Sequence, residues 1–216
     1  AEPPQRVARR LTLKDPRAGN YLMQRYYQVP SYVTAKPGEA EALDILMKIA
    51  GSGSTSRIYK KLVVEQKIAS SAGGDYSGYG LDGGTISLYG IAADRVPLEK
   101  VEAAIDDVMA DIVKNGVTDA ELTRAKNSYL ADYIYDSDNQ ATLARRYGWN
   151  LAVGRTVADV EAWPENISKV TADDVKKVAA KYLDLKDSVT GYLVPDESGV
   201  AQAEDLAPPS AAAELR

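Results

Sequence analysis

The stretch Gly53-Ser-Thr-Ser-Arg-Ile-Tyr-Lys-Lys-Leu62 lies between two segments of helical periodicity. Upstream, apolar residues recur every three or four positions over 40–50, and Gly51 ends that helix. The hydroxyl residues of the stretch offer N-caps for a second helix. A phosphate could also bind at such a helix start, but the P-loop pattern needs a Lys-Ser/Thr pair and a preceding strand. Arg57 follows Ser56 here, so the favoured interpretation is a corner between two helices.

Segments typical of β-strands lie on both sides of this corner. They are predicted over 6–14, 21–29, 69–79, 83–92 and 188–194 from alternation and from β-branched and aromatic content. A glycine-rich turn joins the third segment to the fourth, which indicates an antiparallel hairpin.

Helices fill the chain between the hairpin and the last strand. The clearest helix begins near Pro97 and ends at Gly116, and one apolar stripe follows it. The stripe consists of Val101, Ala104, Ile105, Val108, Met109, Ile112 and Val113. Thr118, Thr156 and Thr171 are predicted N-caps of later helices.

This order of elements predicts an α+β fold, with helices packed on one face of a mainly antiparallel sheet. We expect a single domain over residues 1–195. The segment 196–216 is rich in Ala, Pro and acidic residues without a periodic face, which indicates a disordered tail or linker.

Composition excludes several kinds of chemistry. The chain has 216 residues, no His, no Cys and a net charge of -5. It therefore cannot supply an imidazole base, a thiolate nucleophile, a disulfide or a His- or Cys-ligated metal site. No apolar run is long enough for a membrane span, and the acidic balance argues against a nucleic-acid partner. We predict no catalytic residue and no metal ligand in this chain.

Two groups of polar residues leave structural questions open. Glu102 and Asp106 are placed on the solvated side of the clearest helix, opposite its apolar stripe, so Glu102→Ala is expected to be nearly silent. The chain has 14 Tyr and no Phe. Tyr76, Tyr79 and Tyr89 on the hairpin either line a wet concave surface or lie in the core with satisfied hydroxyls.

Several motifs occur together in one order along residues 20–195. They are the stretch 53–62 followed by Glu65 and Ile68-Ala69, then Pro97-Leu-Glu-Lys-Val101, Glu121-Leu-Thr-Arg-Ala-Lys126, Val170-Thr-Ala-Asp-Asp-Val-Lys-Lys-Val178 with Tyr182, and Leu193-Val-Pro195. This series resembles the second domain of pitrilysin-type (insulinase-like) zinc peptidases and of mitochondrial processing peptidase subunits.

The resemblance implies a clamshell enzyme whose homologous domains enclose a chamber where peptides are cut. In that family the zinc is bound in the first domain of the catalytic half, through an inverted His-x-x-Glu-His motif. Because this chain has no His, the resemblance implies that zinc belongs to a missing N-terminal domain or to a homologous partner subunit. This chain alone is therefore expected to be inactive.

Second domains of the family can supply an Arg and a Tyr that hold the substrate backbone. These positions correspond here to Val63 and Ser70, with Val64 as the alternative to Val63. An aliphatic side chain cannot donate a hydrogen bond to a peptide carbonyl. The resemblance therefore implies that this substrate-binding pair is absent and that a partner subunit supplies it in a heterodimer.

The leading functional hypothesis is a non-catalytic domain of a zinc-dependent peptidase that forms chamber wall and subunit interface. The alternative is a scaffold or assembly subunit derived from the same fold, which cuts nothing. Resemblance to bacterial two-subunit members implies the periplasm or cell envelope, and peptides as substrates.

Overall fold

Residues 7–196 are described by a computed structural model. Five strands form one sheet: β1 (Arg9–Asp15), β2 (Leu22–Pro30), β3 (Ala69–Ser77), β4 (Gly83–Ala92) and β5 (Ser188–Pro195). Their order across the sheet is β1-β5-β2-β4-β3. Strands β1 and β5 pair in parallel, and the other three pairings are antiparallel. The predicted mainly antiparallel sheet is confirmed.

The helices are α1 (Glu39–Ala50), α2 (Arg57–Tyr59), α3 (Leu98–Asn115), α4 (Asp119–Ser137), α5 (Gln140–Ala152), α6 (Val157–Lys169) and α7 (Ala172–Tyr182). Helix α2 continues directly into a π-helical segment, Lys60–Glu65, and a short 3₁₀ turn, Leu185–Asp187, precedes β5. None of the helices within residues 7–196 combines the length and apolarity that a membrane crossing requires.

Capping explains why these helices begin where they do. Thr118, Thr156 and Thr171 each accept a hydrogen bond from the backbone N–H three residues on. The acidic residue at that position, such as Glu121 after Thr118, closes each capping box by accepting from the N-cap backbone. The predicted start of each of these helices is confirmed, and the box at Thr156 was not anticipated.

The corner between α1 and α2 depends on a close contact between two backbone segments. The amide N–H of Gly74 in β3 donates to the carbonyl of Gly51 at 3.1 Å. A Cβ atom on Gly51 would lie 2.6 Å from the backbone nitrogen of Gly74, so only glycine fits there. The corner is thus fastened to the hairpin, which holds the end of α1 against the sheet.

The core lies between the helices and one face of the sheet. Ile105, at the centre of the predicted α3 stripe, is fully buried, as are Leu43 and Leu46 of α1 and Ile86 and Leu88 of β4. The tail predicted over 196–216 lies outside the described residues apart from Asp196.

The expectation that Glu102 and Asp106 are solvated is wrong. Glu102 is 6% exposed, and with Asp106 it accepts hydrogen bonds from the guanidinium of Arg25, which is 2% exposed on β2. Arg10 also donates to Glu102, at 2.7 and 2.5 Å, and the Tyr192 hydroxyl donates as well. The sequence-based expectation placed Glu102 on the wrong side of α3. Glu102 precedes Met109 by seven residues, which is nearly two helical turns, so the two residues lie on the same side of the helix.

Candidate functional site: the open face of the sheet

Side chains of β2 alternate between the helical layer and the opposite, open face of the sheet. Met23, Arg25, Tyr27 and Val29 are buried on the helical side. Strand geometry therefore directs the intervening residues, beginning with Leu22, to the other face.

An apolar row crosses this open face. Leu13 of β1 lies opposite Leu193 of β5, Leu193 lies opposite Leu22 of β2, and Leu22 lies opposite Ile91 of β4. Directly opposite residues in a sheet present their side chains on the same face. We refer to Leu13, Leu193, Leu22 and Ile91 as the apolar row.

More apolar surface continues beside the row. Leu11 and Leu13 are each 54% exposed, and Tyr26 of β2 is 43% exposed. Leu11 lies over Gly191, where a Cβ atom would be only 3.7 Å from its side chain. Contiguous exposed apolar surface of this kind on a sheet is typical of a contact surface.

Two pairs of polar side chains on the open face contact one another. Ser87 donates to Asp75 at 2.5 Å, and the hydroxyls of Ser71 and Tyr89 are 3.4 Å apart. Tyr89 thus lies on the open face, whereas Tyr76 donates its hydroxyl to the carbonyl of Pro30 at 2.8 Å. Tyr76, which packs against the core with a paired hydroxyl, therefore fits the core alternative, whereas Tyr89 lies on the open face.

Ser70 lies at the end of the apolar row, where β3 has an irregularity between Ala69 and Ser71. Ser70 is exposed, and its hydroxyl donates to the carbonyl of Ile91 at 3.4 Å. Val63, in the π-helical segment, is partly buried and packs against the core, while Val64 is 56% exposed. Whether these positions correspond to the family's Arg and Tyr stays a prediction.

The residues of this chain do not fit a zinc site. Zinc sites in proteins draw chiefly on His and Cys, and this chain has neither. Across residues 7–196, acidic side chains also do not gather in any group of three that could hold a metal ion. The described residues therefore supply no ligand set for zinc.

The sequence carried a signal for the open face that the strand prediction did not use. In β2, Leu22 and Tyr26 are out of phase with the buried Met23 and Tyr27, so apolar residues occur on both faces of the strand. A strand with one solvated face shows hydrophobic residues on a single phase.

Comparison with known proteins identifies the family. Residues 2–129 match the peptidase M16 inactive domain. The chain belongs to this family. It is 24% identical over 172 residues to the zinc protease PqqE of Helicobacter pylori, an alignment that covers 78% of this chain and 37% of that protein.

Solved structures share the fold. A protease from H. pylori superposes with a TM-score of 0.82 at 22% identity, over 89% of this chain and 46% of the other. The periplasmic protease PqqL from Escherichia coli gives a TM-score of 0.66 at 16% identity, over 88% and 21%. The M16 domain described here thus spans less than half the length of each of these relatives.

Proposed function

We propose that this M16 inactive domain forms part of the wall of a peptide-cutting chamber and part of a subunit interface in a zinc-dependent peptidase. The observation that carries the proposal is the apolar row, which lies on the sheet face opposite the one that packs against the helices. A largely apolar face, on which Asp75 accepts a hydrogen bond from Ser87, suits contact with peptides or with another domain.

The zinc chemistry is assigned to other parts of the assembly. A preceding domain of the same protein, or a homologous partner subunit, would supply the metal ligands and the residues that hold the substrate backbone. The match to proteins more than twice as long supports this division, because they have room for such a domain. By analogy with PqqL, which is described as periplasmic, we propose a location in the bacterial periplasm.

A scaffold subunit without peptidase activity is the second candidate. It is favoured by Val63 and Ser70, where neither an Arg nor a Tyr is available. The two functions differ in one sequence feature, a His-x-x-Glu-His motif in the same protein or in its partner. Sequencing the coding region upstream of Ala1 and the adjacent gene distinguishes them.

The open face can be tested in the full-length protein with matched leucine substitutions. Leu13→Glu places a charge within the apolar row, and Leu185→Glu places the same charge at an exposed leucine outside it. We expect Leu13→Glu to reduce quenched-peptide hydrolysis at least about tenfold, because burying an unpaired charge at a contact surface is costly. Leu185→Glu should retain the original rate. Equal rates for the two variants would contradict the proposed role of the face.

A further inference from the structure

The two edges of the sheet differ in what lies beside them. The outer edge of β3 meets the corner between α1 and α2, where the N–H of Gly74 donates to the carbonyl of Gly51. Strand β1 forms the opposite edge, and within residues 7–196 it pairs with β5 alone. A strand edge without a neighbour leaves backbone N–H and C=O groups free to pair with another strand.

The side chains of β1 are exposed on both faces of the sheet. Every residue of the strand is exposed except Asp15, which is partly buried. Leu11 and Leu13 lie on the open face, whereas Arg10 lies on the helical side, 5.3 Å over the ring of Tyr192. Because exposure extends to both faces, neither layer of the described fold blocks the approach of another strand to this edge.

The backbone groups of β1 alternate between β5 and the outer edge. The carbonyl of Asp15 accepts a hydrogen bond from the N–H of Asp196, directly after β5, at 3.3 Å. Along a strand, positions that bond to one neighbour alternate with positions that bond to the other side. Arg10, Thr12 and Lys14 are out of phase with Asp15, so their N–H and C=O groups point to the outer edge.

One antiparallel register makes β1 complementary to a second copy of itself. When Thr12 lies opposite Thr12 of the second copy, the residues whose backbone groups point outward form the hydrogen-bonded pairs. Leu11 then lies opposite Leu13, and Arg9 lies opposite Asp15, with all four side chains on the open face. These are the non-hydrogen-bonded pairs, in which side chains approach each other most closely. Two-fold symmetry repeats both favourable pairs.

The helical side of β1 contains one like-charge pair in this register. Charged side chains on an edge strand usually discourage pairing. Lys14 would lie opposite Arg10 of the second copy, but Arg10 already donates to the carboxylate of Glu102 at 2.7 and 2.5 Å. Its charge is therefore balanced within its own chain, which reduces the repulsion.

Asp15 can pair with a second guanidinium. Arg17 donates to its two carboxylate oxygens at 3.0 and 2.8 Å, and these hydrogen bonds lower the pKa of Asp15 to about 2. An ionised carboxylate has about four acceptor sites. Asp15 can therefore accept from Arg9 of the second copy while it keeps Arg17.

We propose that this chain forms a two-fold symmetric dimer through β1, in which the two sheets join edge to edge and Leu11 and Leu13 of both copies meet on the open face. A second copy is the occupant because β1 itself supplies both members of the leucine pair and both members of the charged pair. One strand from each copy makes a small contact compared with a standard interface of about 1,200–2,000 Å². We therefore expect a Kd in the micromolar range. The dimer does not depend on the proposed chamber role.

Self-association is measured on the full chain by sedimentation velocity between about 5 and 500 µM. We expect the sedimentation coefficient to rise with concentration from that of a monomer to that of a dimer. Thr12→Pro removes the outward N–H at the centre of the interface, and proline is tolerated where a strand N–H faces away from the sheet. This variant should dimerise at least about tenfold more weakly. Thr12→Ala keeps the N–H and should dimerise like the parent.

Charge reversal tests the register. Arg9→Asp places two acids opposite each other, and Asp15→Arg places two arginines opposite each other, so each variant alone should dimerise at least about tenfold more weakly. Mixed one to one, the two variants restore both opposite-charge pairs, and a heterodimer with the affinity of the parent is expected. Arg124→Asp makes the same change at an exposed position of α4 and should leave dimerisation unchanged.

The competing outcomes are distinct. A parent chain that stays monomeric at every concentration, or a mixture of the two charge variants that does not associate, would overturn the proposal. Loss of the dimer in Leu22→Glu, with the affinity retained in Arg9→Asp, would show that open faces stack instead of β1 edges joining. If Thr12→Pro does not fold, the mixture of charge variants still decides.

Discussion

At the scale of single residues, the largest departure from the sequence-based expectation is the buried charge cluster around Arg25. Periodicity identifies a stripe, but it does not reveal an arginine on the buried phase of a strand that recruits acids from the helix above. Burial of Glu102 opposes its ionisation, and hydrogen bonds from Arg10 and Tyr192 with the charge of Arg25 outweigh that cost, so the pKa of Glu102 is lowered. Glu102 is thus ionised, and its carboxylate accepts hydrogen bonds from Arg10, Arg25 and Tyr192.

Glu102→Ala is therefore expected to destabilise the domain by about 3 kcal/mol, because it leaves the buried Arg25 with an unpaired donor. Asp106 and Thr190 still accept from Arg25, which keeps the cost from rising further. Urea denaturation of residues 1–216 measures the effect. Glu99→Ala, at an exposed position on the same helix, is the control and should stay within about 0.5 kcal/mol of the parent. Equal midpoints for the two variants would show that the cluster contributes nothing.

Asp44 makes stability depend on pH. Burial raises the pKa of its carboxyl to about 7, against the hydrogen bond from Tyr32 that lowers it; Glu41 also raises the pKa, and Arg155 lowers it. An unfolded aspartate has a pKa of about 3.9. The folded state therefore binds the extra proton between about pH 4 and pH 7, and stability falls as pH rises through this range.

Asp44→Asn should remove that dependence. We expect its Tm to exceed that of the parent by at least about 4 °C at pH 8 and by a smaller margin at pH 5, because the difference vanishes only near pH 4, where the unfolded carboxyl is protonated as well. Asp94→Asn, at an exposed position, controls for the loss of one negative charge. Thermal melts at both pH values decide, and a constant difference between Asp44→Asn and the parent would rule out titration of this group as the cause.

At the scale of elements, the sequence predicted those features that depend on residues close together in the chain. Helix starts were predictable because the capping Thr and the acidic residue that answers it are three positions apart in sequence. The parallel pairing of β1 with β5 was not predictable, because it joins residues that are far apart in the sequence, such as Arg9 and Val189. The π-helical segment Lys60–Glu65 was not predicted either.

Substitutions at two glycines distinguish a glycine required by close backbone packing from one that only lowers helix propensity. A Cβ atom on Gly74 would lie 2.4 Å from the carbonyl oxygen of Ser87, so Gly74→Ala should cost about 1–3 kcal/mol through forced backbone shifts. Gly148 lies within α5 with nothing within 4 Å, so Gly148→Ala should stabilise by up to about 1 kcal/mol. Opposite shifts in the urea midpoint are expected, and shifts of the same sign would contradict the close approach of β4 to β3 at Gly74.

At the scale of the whole molecule, the sequence predicted the family's domain but did not reveal the open face of its sheet. The absence of His and Cys already excluded a zinc ligand set, and the ordered motifs indicated the M16 family, which the match over residues 2–129 confirms. The open face became apparent only from strand register, since Leu13, Leu193, Leu22 and Ile91 come from four separate segments. Their alignment is a property of the assembled sheet.

The proposed division of labour makes the activity of the full-length protein conditional on a partner. Val63 packs against the core, and the exposed Ser70 donates its hydroxyl to the carbonyl of Ile91 at 3.4 Å, so we propose that neither position supplies a strong contact to a peptide. A charged donor and a phenol would contribute about 1.5–3 and 0.5–1.5 kcal/mol, together more than tenfold in affinity. We expect the purified full-length protein to cut a quenched peptide only after addition of the homologous subunit encoded beside it, and a chelator to abolish that activity. Full hydrolysis by the lone protein would show instead that one chain carries a complete active site.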